Sequence, residues 1–400
     1  MRAPLARVGD LAEQIRGVTY AKGDASDEPR DGYVPILRAG NISDEGLSLS
    51  DLVFVPAARV SDRQFLKRND VLVAASSGSL DVVGKAALVN SDVKAGFGAF
   101  CKVLRPGERV HPAYFAHFFK TPAYRGRVSA LAAGANINNL RNEDLDDLTL
   151  PLPSAEEQHR IAGVLDRAEA LRAKRRAALA QSDGLTQAIF LEMFGDPVSN
   201  PLKWPEHEME ALIDGGPQNG LYKPASEYGS GVPILRIDAF YDGVVTDLHS
   251  LKRVRITEPE LALYALRTGD IVVNRVNSIE YLGKSALIPL LPEPIVFESN
   301  MMRISLRRDL VDSRWVIEFL QSPFIRGQLL NRAKRAVNQA SVNQQDVKSL
   351  RLLAPPLHLQ RSFAARAAAV DGLKSSHRAS LAQLDALFAS LQHRAFRGEV

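Results

Sequence analysis

The chain of 400 residues states one pattern twice, about 200 residues apart, and follows each statement with a helix of heptad spacing. Val34-Pro35-Ile36-Leu37-Arg38 returns 198 positions on as Val232-Pro233-Ile234-Leu235-Arg236, and Gly84-Lys85 returns as Gly283-Lys284 at 199. Asp70, before Val71-Leu72-Val73, returns at 200 as Asp270 before Ile271-Val272-Val273. Pro122 with Arg125-Gly126 returns at 201 as Pro323 with Arg326-Gly327, and Pro153 with Gln158 at 202 as Pro355 with Gln360. A colinear series with so little drift points to duplication. A period this long makes each copy a domain and not a solenoid blade.

Within each copy, short apolar runs bounded by Gly, Asp, Ser and Pro read as strands. In the first these are Val34–Arg38, Leu52–Val55, Val71–Ala75, Lys85–Val89 and Phe100–Leu104, followed by helices over Pro112–Lys120 and Ala123–Leu131. The second repeats the order with Ile234–Ile237, Ile271–Asn274, Ser285–Ile288, Ile295–Phe297 and Met301–Leu306, then helices near Ser313–Gln321 and Phe324–Ala333. Strands first and helices after define α+β heads. Ser154 with Glu157 three residues on is a capping box opening the first long helix, whose apolar stripe includes Ile161, Leu165, Leu171, Leu185 and Ile189. The second long helix carries Val370, His377, Leu381, Leu384, Phe388 and Leu391 in alternating steps of mostly three and four. Such stripes also occur on helices packed against their own domain, but two at equivalent places favour pairing with each other.

The expected fold is therefore α+β, with two similar domains joined by two long antiparallel coiled-coil helices and a pseudo-two-fold internal repeat. The boundaries are 1–153 for the first domain, 154–195 for the central helix, 196–356 for the second domain and 357–400 for the C-terminal helix. At 1.5 Å per residue, about 35 residues make a rod of roughly 50 Å. Two heads on such a spacer suit a duplex whose grooves recur every ~34–36 Å, and so a split target: two short elements and an unread gap.

Composition narrows the classes. A net charge of +4 permits a polyanionic partner without demanding one. One cysteine, Cys101, excludes an intramolecular disulfide framework and a Cys-rich zinc site, which fits a reducing, cytoplasmic setting. The N-terminal residues carry no apolar core of signal-peptide length, and no uncharged apolar run reaches the ~18 residues of a membrane span.

Catalytic motifs are missing where they would be looked for. Ala354-Pro355-Pro356 lacks the polar residue that holds a target amine, and Gly283-Lys284-Ser285 lacks the leading glycine of a phosphate loop, Ile279 standing there. Asp270, Glu280 and Lys284 have the wrong spacing for a carboxylate–lysine nuclease set, and the eight histidines show no metal-ligand pattern. The candidate contacts to DNA are instead polar residues in equivalent turns. Ser76, Ser77 and Ser79 answer to Asn274, Arg275, Asn277 and Ser278, and Lys85 to Lys284. A second patch comprises Asn136, Asn138, Asn139 and Arg141, answered by Lys334, Arg335, Asn338, Gln339 and Asn343. Asn and Arg make paired hydrogen bonds to adenine and guanine edges, and Ser and Lys bind phosphate. Such residues also cap turns and helices, and the Gly-Lys pair has an equally good explanation as a fold element.

The run from Leu150 through Pro153-Ser154-Ala155-Glu156-Glu157-Gln158 to Ala162, leading to Phe194-Gly195-Asp196-Pro197 and Asn200-Pro201, closely resembles the central region of the specificity subunits of type I restriction–modification enzymes. Gly269-Asp270-Ile271 followed by Gly283-Lys284-Ser285 looks like that family's target recognition domains. The resemblance spans essentially the whole chain, although Leu357-His358-Leu359-Gln360-Arg361 lacks the acidic pair found at Glu156-Glu157. It implies a non-catalytic subunit in which each target recognition domain reads half of a bipartite, asymmetric DNA site and the helices set the spacer. It further implies two methyltransferase (modification) subunits that use S-adenosylmethionine, and two restriction motor-nuclease subunits using ATP and Mg where the system cleaves. The alternatives are a coiled-coil structural adaptor that does not read DNA, and a stand-alone nuclease, which the missing motifs disfavour.

Overall fold

The computed structural model describes residues 3–133, 139–241, 243–245 and 247–397, and the chain divides into two compact units. One comprises residues 1–178 with 377–400; the other comprises residues 179–376. Each unit thus contains a head together with part of both long helices.

In the first unit the apolar run Val71–Ala74 forms one of the two inner strands of a four-stranded antiparallel sheet in the order Ala12–Arg16, Cys101–Pro106, Val71–Ala74, Ala86–Leu88. The run is continuous because both faces are covered. Alternate side chains point to opposite faces: Val71 and Val73 lie with Tyr114, Phe115 and Val128 of the two short helices, while Leu72 and Ala74 pack with Leu37, Ile42 and Phe97. A second, three-stranded sheet pairs Tyr33–Leu37 antiparallel with Val53–Pro56 and parallel with Gly96–Phe97.

The second unit repeats this topology. Gln218–Asn219, Met301–Ile304, Ile271–Asn274 and Ser285–Leu287 are neighbours in the same order, extended by Gly243–Val245 and Phe240–Tyr241. Tyr228–Leu235 again pairs with one antiparallel strand, Arg253–Val254, and one parallel strand, Val296–Phe297. Ile271 and Val273 face the cluster of Trp315, Ile317 and Leu329; Val272 faces Leu235, Phe240 and Phe297. Each unit is also closed by a two-stranded pair, Leu5–Arg7 with Thr149–Pro151 and Glu206–Glu208 with Arg351–Leu353, of which the sequence announces the second strand as a short apolar run into proline and not the first.

The repeated residues are framework residues. Asp70 is buried and accepts from the Lys67 amide and from both ends of the Arg105 guanidinium at 2.8 Å, fixing the turn into its strand. Asp270 accepts likewise from the Arg267 amide and from Ser305, both at 2.8 Å. Gly84 and Gly283 have φ of +77° and +76°, where glycine is strain-free. A Cβ on Gly84 would lie 2.6 Å from Val128 Cγ1, and one on Gly283 would overlap Leu329. Glycine before lysine is thus set by backbone sign and by helix approach. We expect Gly84→Ala to cost about 2–4 kcal/mol through backbone strain and overpacking, measured as a lower urea midpoint. Beside these glycines, Arg125 donates to the carbonyls of Val83 and Asp81, and Arg326 to that of Glu280, so the repeated Pro-x-x-Arg-Gly helices clamp the same loop in each copy.

The central helix is two segments, Ala155–Asp183 and Leu185–Phe194, with Gly184 between them; the C-terminal helix runs unbroken over Leu357–Ala395. Ser154 accepts from the Glu157 amide as an N-cap, whereas the Glu157 carboxylate turns to Arg160. In the first unit Ile161, Leu165 and Ala168 share a core with Phe388 and Ala395, and Arg172 lies 4.4 Å over the Phe388 ring while bonding Asp385 at 2.6 Å. Arg175 meets His377 at 2.7 Å, so rising numbers on one helix meet falling numbers on the other, an antiparallel pairing. In the second unit Asp183 pairs with Lys374 at 3.1 Å, and Phe190 and Phe194 pack on Phe363, again antiparallel. Val370 and Phe388 are buried, and Ile189, Leu381, Leu384 and Leu391 are partly so. Two seam assignments need correction: Leu171 is 52% exposed and Leu185 41% exposed. At the first the inward position belongs to Arg172, whose stem and guanidinium cover Phe388. At the second the inward position belongs to the buried Thr186, which continues the spacing from the buried Ser182 across Gly184 and leaves Leu185 one position off the seam.

Candidate nucleic-acid interface

In the first unit the end of the strand Val71–Ala74 opens into a corner where the amides of Ala75 and Ser76 both donate to the Phe100 carbonyl, at 2.9 and 3.0 Å. Ser76 also bridges to Asn139. Opposite lies the loop 38–51, made rigid by the buried Asn41, whose Oδ1 accepts from the Arg38 amide and whose Nδ2 donates to the Ser50 carbonyl, both at 2.8 Å. The Arg38 guanidinium donates to the Asp51 carbonyl at 3.0 Å, and the hydroxyls of Ser48 and Ser50 lie 2.7 Å apart. Together these residues line a concavity of about 680 Å³ that includes Ser76, Ser77, Gly78 and Phe100. Ser77 Oγ accepts from the Ser79 amide, which keeps the turn closed.

In the second unit the equivalent corner is built by the amides of Arg275 and Val276 donating to the Asn300 carbonyl. The chain continues into a three-stranded sheet of Val276–Asn277, Ala340–Ser341 and Lys334–Arg335. Its outer hairpin is a ribbon on which Lys334, Arg335, Asn338 and Gln339 are all exposed, with Val337 97% exposed at the tip. The B-DNA major groove admits a two-stranded ribbon of this kind, and these side chains supply both phosphate-binding cations and amides able to read bases. Beside it, Arg275 and Asn343 line a polar concavity of about 440 Å³ with Asn219, Gln344, Gln345 and Lys348.

The remaining candidates are buried, already paired or set away from these faces. Lys85 reaches Asp44 at 3.7 Å beside Arg172 and Arg176. Lys284 donates to the Ile237 carbonyl at 2.7 Å, with its ammonium 4.0 Å from the Tyr241 ring centre and 4.8 Å from that of Phe240, a caged cation and not a free phosphate ligand. Asn274 is wholly buried at the end of its strand, so its assignment as a surface contact is withdrawn. Arg141 is exposed and paired with Asp144, and Asn343 spends its side-chain oxygen capping the helix Gln344–Lys348. Asn277 accepts from the Ser278 amide. Asn136 and Asn138 lie outside the described residues. The loop 38–51 and Phe100 escaped the sequence reading. The only signal was the serine-rich stretch Ser43 to Ser50, which reads as an ordinary turn, and Phe100 looks like the first residue of a core strand.

The thiol beside the corner is unreactive. Burial pushes the Cys101 thiol up to about 12, so a thiolate is scarce at neutral pH. We expect no alkylation of the native chain by iodoacetamide at pH 8 and one label per chain once urea is added; labelling without denaturant would contradict the burial. Among the described residues no group of three or more His, Cys, Asp or Glu side chains is placed to hold a metal ion, and no helix is long and apolar enough to cross a membrane.

A duplicated α+β framework with unlike polar faces at equivalent corners defines a two-module reader of a polar polymer. Residues 5–181 match the family model of the type I restriction modification DNA specificity domain. The chain is 33% identical to the type I restriction enzyme EcoKI specificity subunit of Escherichia coli K12, over 99% of this chain and 89% of that protein. It is also 33% identical to the StySPI specificity subunit of Salmonella potsdam, over 100% and 88%. The crystal structure of a type I restriction–modification S subunit from M. genitalium shares the fold, with a TM-score of 0.63 at 14% identity over 98% of this chain and 96% of that one. The chain belongs to the family of type I restriction enzyme specificity subunits.

Proposed function

We propose that this chain is the DNA sequence-recognition subunit of a type I restriction–modification system, in which each unit reads one part of a bipartite, asymmetric site and the long helices set the gap. The observation that carries this reading is the division between what the duplication kept and what it changed. Asp70 and Asp270, Gly84 and Gly283, and Gln158 and Gln360 hold the same framework, while Ser76, Ser77 and Phe100 stand where Val276, Asn277 and Asn300 stand in the second copy. One scaffold with two unlike faces is what reading two unlike short sequences requires.

The chain acts without catalysis of its own and directs partners to the site: two methyltransferase subunits, where S-adenosylmethionine supplies the methyl group, and, in a cleaving system, two restriction subunits using ATP and Mg. Single-molecule sequencing of host DNA is expected to find methyladenine at a gapped two-part motif, and that methylation is expected to vanish when the chain is deleted and return when it is restored. Unchanged methylation in the deletion strain overturns the proposal.

A further inference from the structure

The side chain of Phe100 is 68% exposed, although its backbone is held by hydrogen bonds on the side of the sheet. Its carbonyl accepts from two amides, and the next residue, Cys101, is fully buried and begins a sheet strand. The ring is therefore presented by a rigid support and not by a loose loop. It stands in the wall of a concavity whose other lining residues include Arg38, Ser48, Ser50, Ser76 and Ser77, all able to hydrogen-bond. The side chains around the ring in that lining are hydroxyls, Arg38, Asn41 and Asp51, with Ala39 the one small apolar side chain among them. In the second unit the same carbonyl position belongs to Asn300, so the framework is shared while the side chain it offers differs, aromatic in the first unit and polar in the second.

On the reading that each unit recognises one part of a split DNA site, we propose that Phe100 is a specificity-determining residue that packs on the C5-methyl group of a thymine in the part read by the first unit. Of the groups displayed at base-pair edges in the major groove, that methyl is the apolar one. The surrounding serines and Arg38 are left to bond the neighbouring edges and phosphates.

The test uses the full chain with its methyltransferase partner. The motif is first defined by methylome sequencing of strains expressing the wild-type chain, Phe100→Ala, Phe100→Asn and Phe100→Leu in the deletion background. Binding of the complex to that motif is then measured with each thymine replaced in turn by deoxyuridine, which lacks only the methyl group. The expected result is one thymine, in one part of the motif, whose replacement weakens wild-type binding about fourfold and leaves Phe100→Ala binding unchanged. At that position Phe100→Ala and Phe100→Asn accept other bases, Phe100→Leu keeps the preference, and the second part and the gap are unaltered. A motif identical in Phe100→Ala and wild type overturns the inference, as does a deoxyuridine effect that survives the substitution. Loss of all methylation by Phe100→Leu as well as Phe100→Ala also overturns it, because the ring then supports structure and reads no base. A wild-type strain with no gapped motif sinks the functional reading and this inference together, whereas an intact motif that ignores Phe100 sinks the inference alone.

Discussion

Phe363→Ala is expected to lower the stability of the second unit by about 3–5 kcal/mol, the range for emptying a well-packed aromatic site. Phe363 is fully buried, and its ring lies 5.6 and 5.8 Å from those of Phe190 and Phe194, which belong to the facing helical segment. Phe190 in turn stacks on Trp315 at 6.3 Å, so the seam between the helices and the core of the head are one cluster. The cavity therefore cannot be relieved by the helices moving apart without also exposing the head. Phe363→Leu, which keeps most of the volume, is expected to cost less than about 2 kcal/mol. Leu373→Ala on the outward face is expected to stay within about 0.5 kcal/mol. The measurement is direct because both tryptophans, Trp204 and Trp315, lie in the second unit, so urea unfolding followed by tryptophan fluorescence reports it. The midpoint is expected about 1–3 M lower, with faster amide exchange over Leu185–Phe194. A shift below about 1 kcal/mol would mean that the helices do not share this core.

The duplication made much of the fold legible because a residue that recurs at a fixed offset is one that both copies need. Val71–Ala75 and Ile271–Asn274 read correctly as strands, and their runs are continuously apolar because the sheets are buried on both faces. The closing strands Leu5–Arg7 and Glu206–Glu208 did not, because they pair with partners some 145 residues away and Glu206-His207-Glu208 has neither alternation nor strand propensity. The heptad count failed at Leu171 and Leu185 because it followed apolar side chains, whereas the inward positions beside them carry Arg172, which covers a ring, and the buried Thr186. The candidate site was legible only in outline. Polar turns at equivalent offsets led to Ser76, Ser77 and the ribbon of Lys334, Arg335, Asn338 and Gln339, and side-chain type alone gave no way to know that Asn274 turns inward or that Lys284 is enclosed by rings. Phe100 was hidden for the opposite reason: composition assigns a phenylalanine beside a strand to the core.

Gln360 is the repeated residue whose role sequence could not supply, and its removal is expected to be as damaging as emptying the aromatic seam. Its buried side chain accepts from the Asp312 amide at 2.9 Å and donates to the Pro355 carbonyl at 2.7 Å, tying the entry of the long helix to the helix Ser313–Leu320. Gln158 does the same in the first unit, accepting from the His111 amide at 2.7 Å and donating to the Pro153 carbonyl at 3.0 Å. Only a side chain with one acceptor and one donor at that reach satisfies both backbone groups. Gln360→Leu leaves two buried backbone groups unpaired, at about 1–3 kcal/mol each, so a loss of about 2–5 kcal/mol is expected in the same tryptophan-monitored unfolding. Gln360→Glu separates the hydrogen bonds from packing. At pH 8 the introduced carboxylate still accepts from the Asp312 amide but has no proton for the Pro355 carbonyl, whereas its protonated form donates there as the amide did. Its folded-state pKa is therefore raised above the unfolded value of about 4.3. The penalty relative to wild type is then complete above that raised pKa and fades as pH falls toward 4.3, so the variant is expected to approach wild-type stability near pH 4 and fall well below it at pH 8. A penalty independent of pH, or a Gln360→Leu variant within about 1 kcal/mol of wild type, would show that the clamp is not what kept glutamine in both copies.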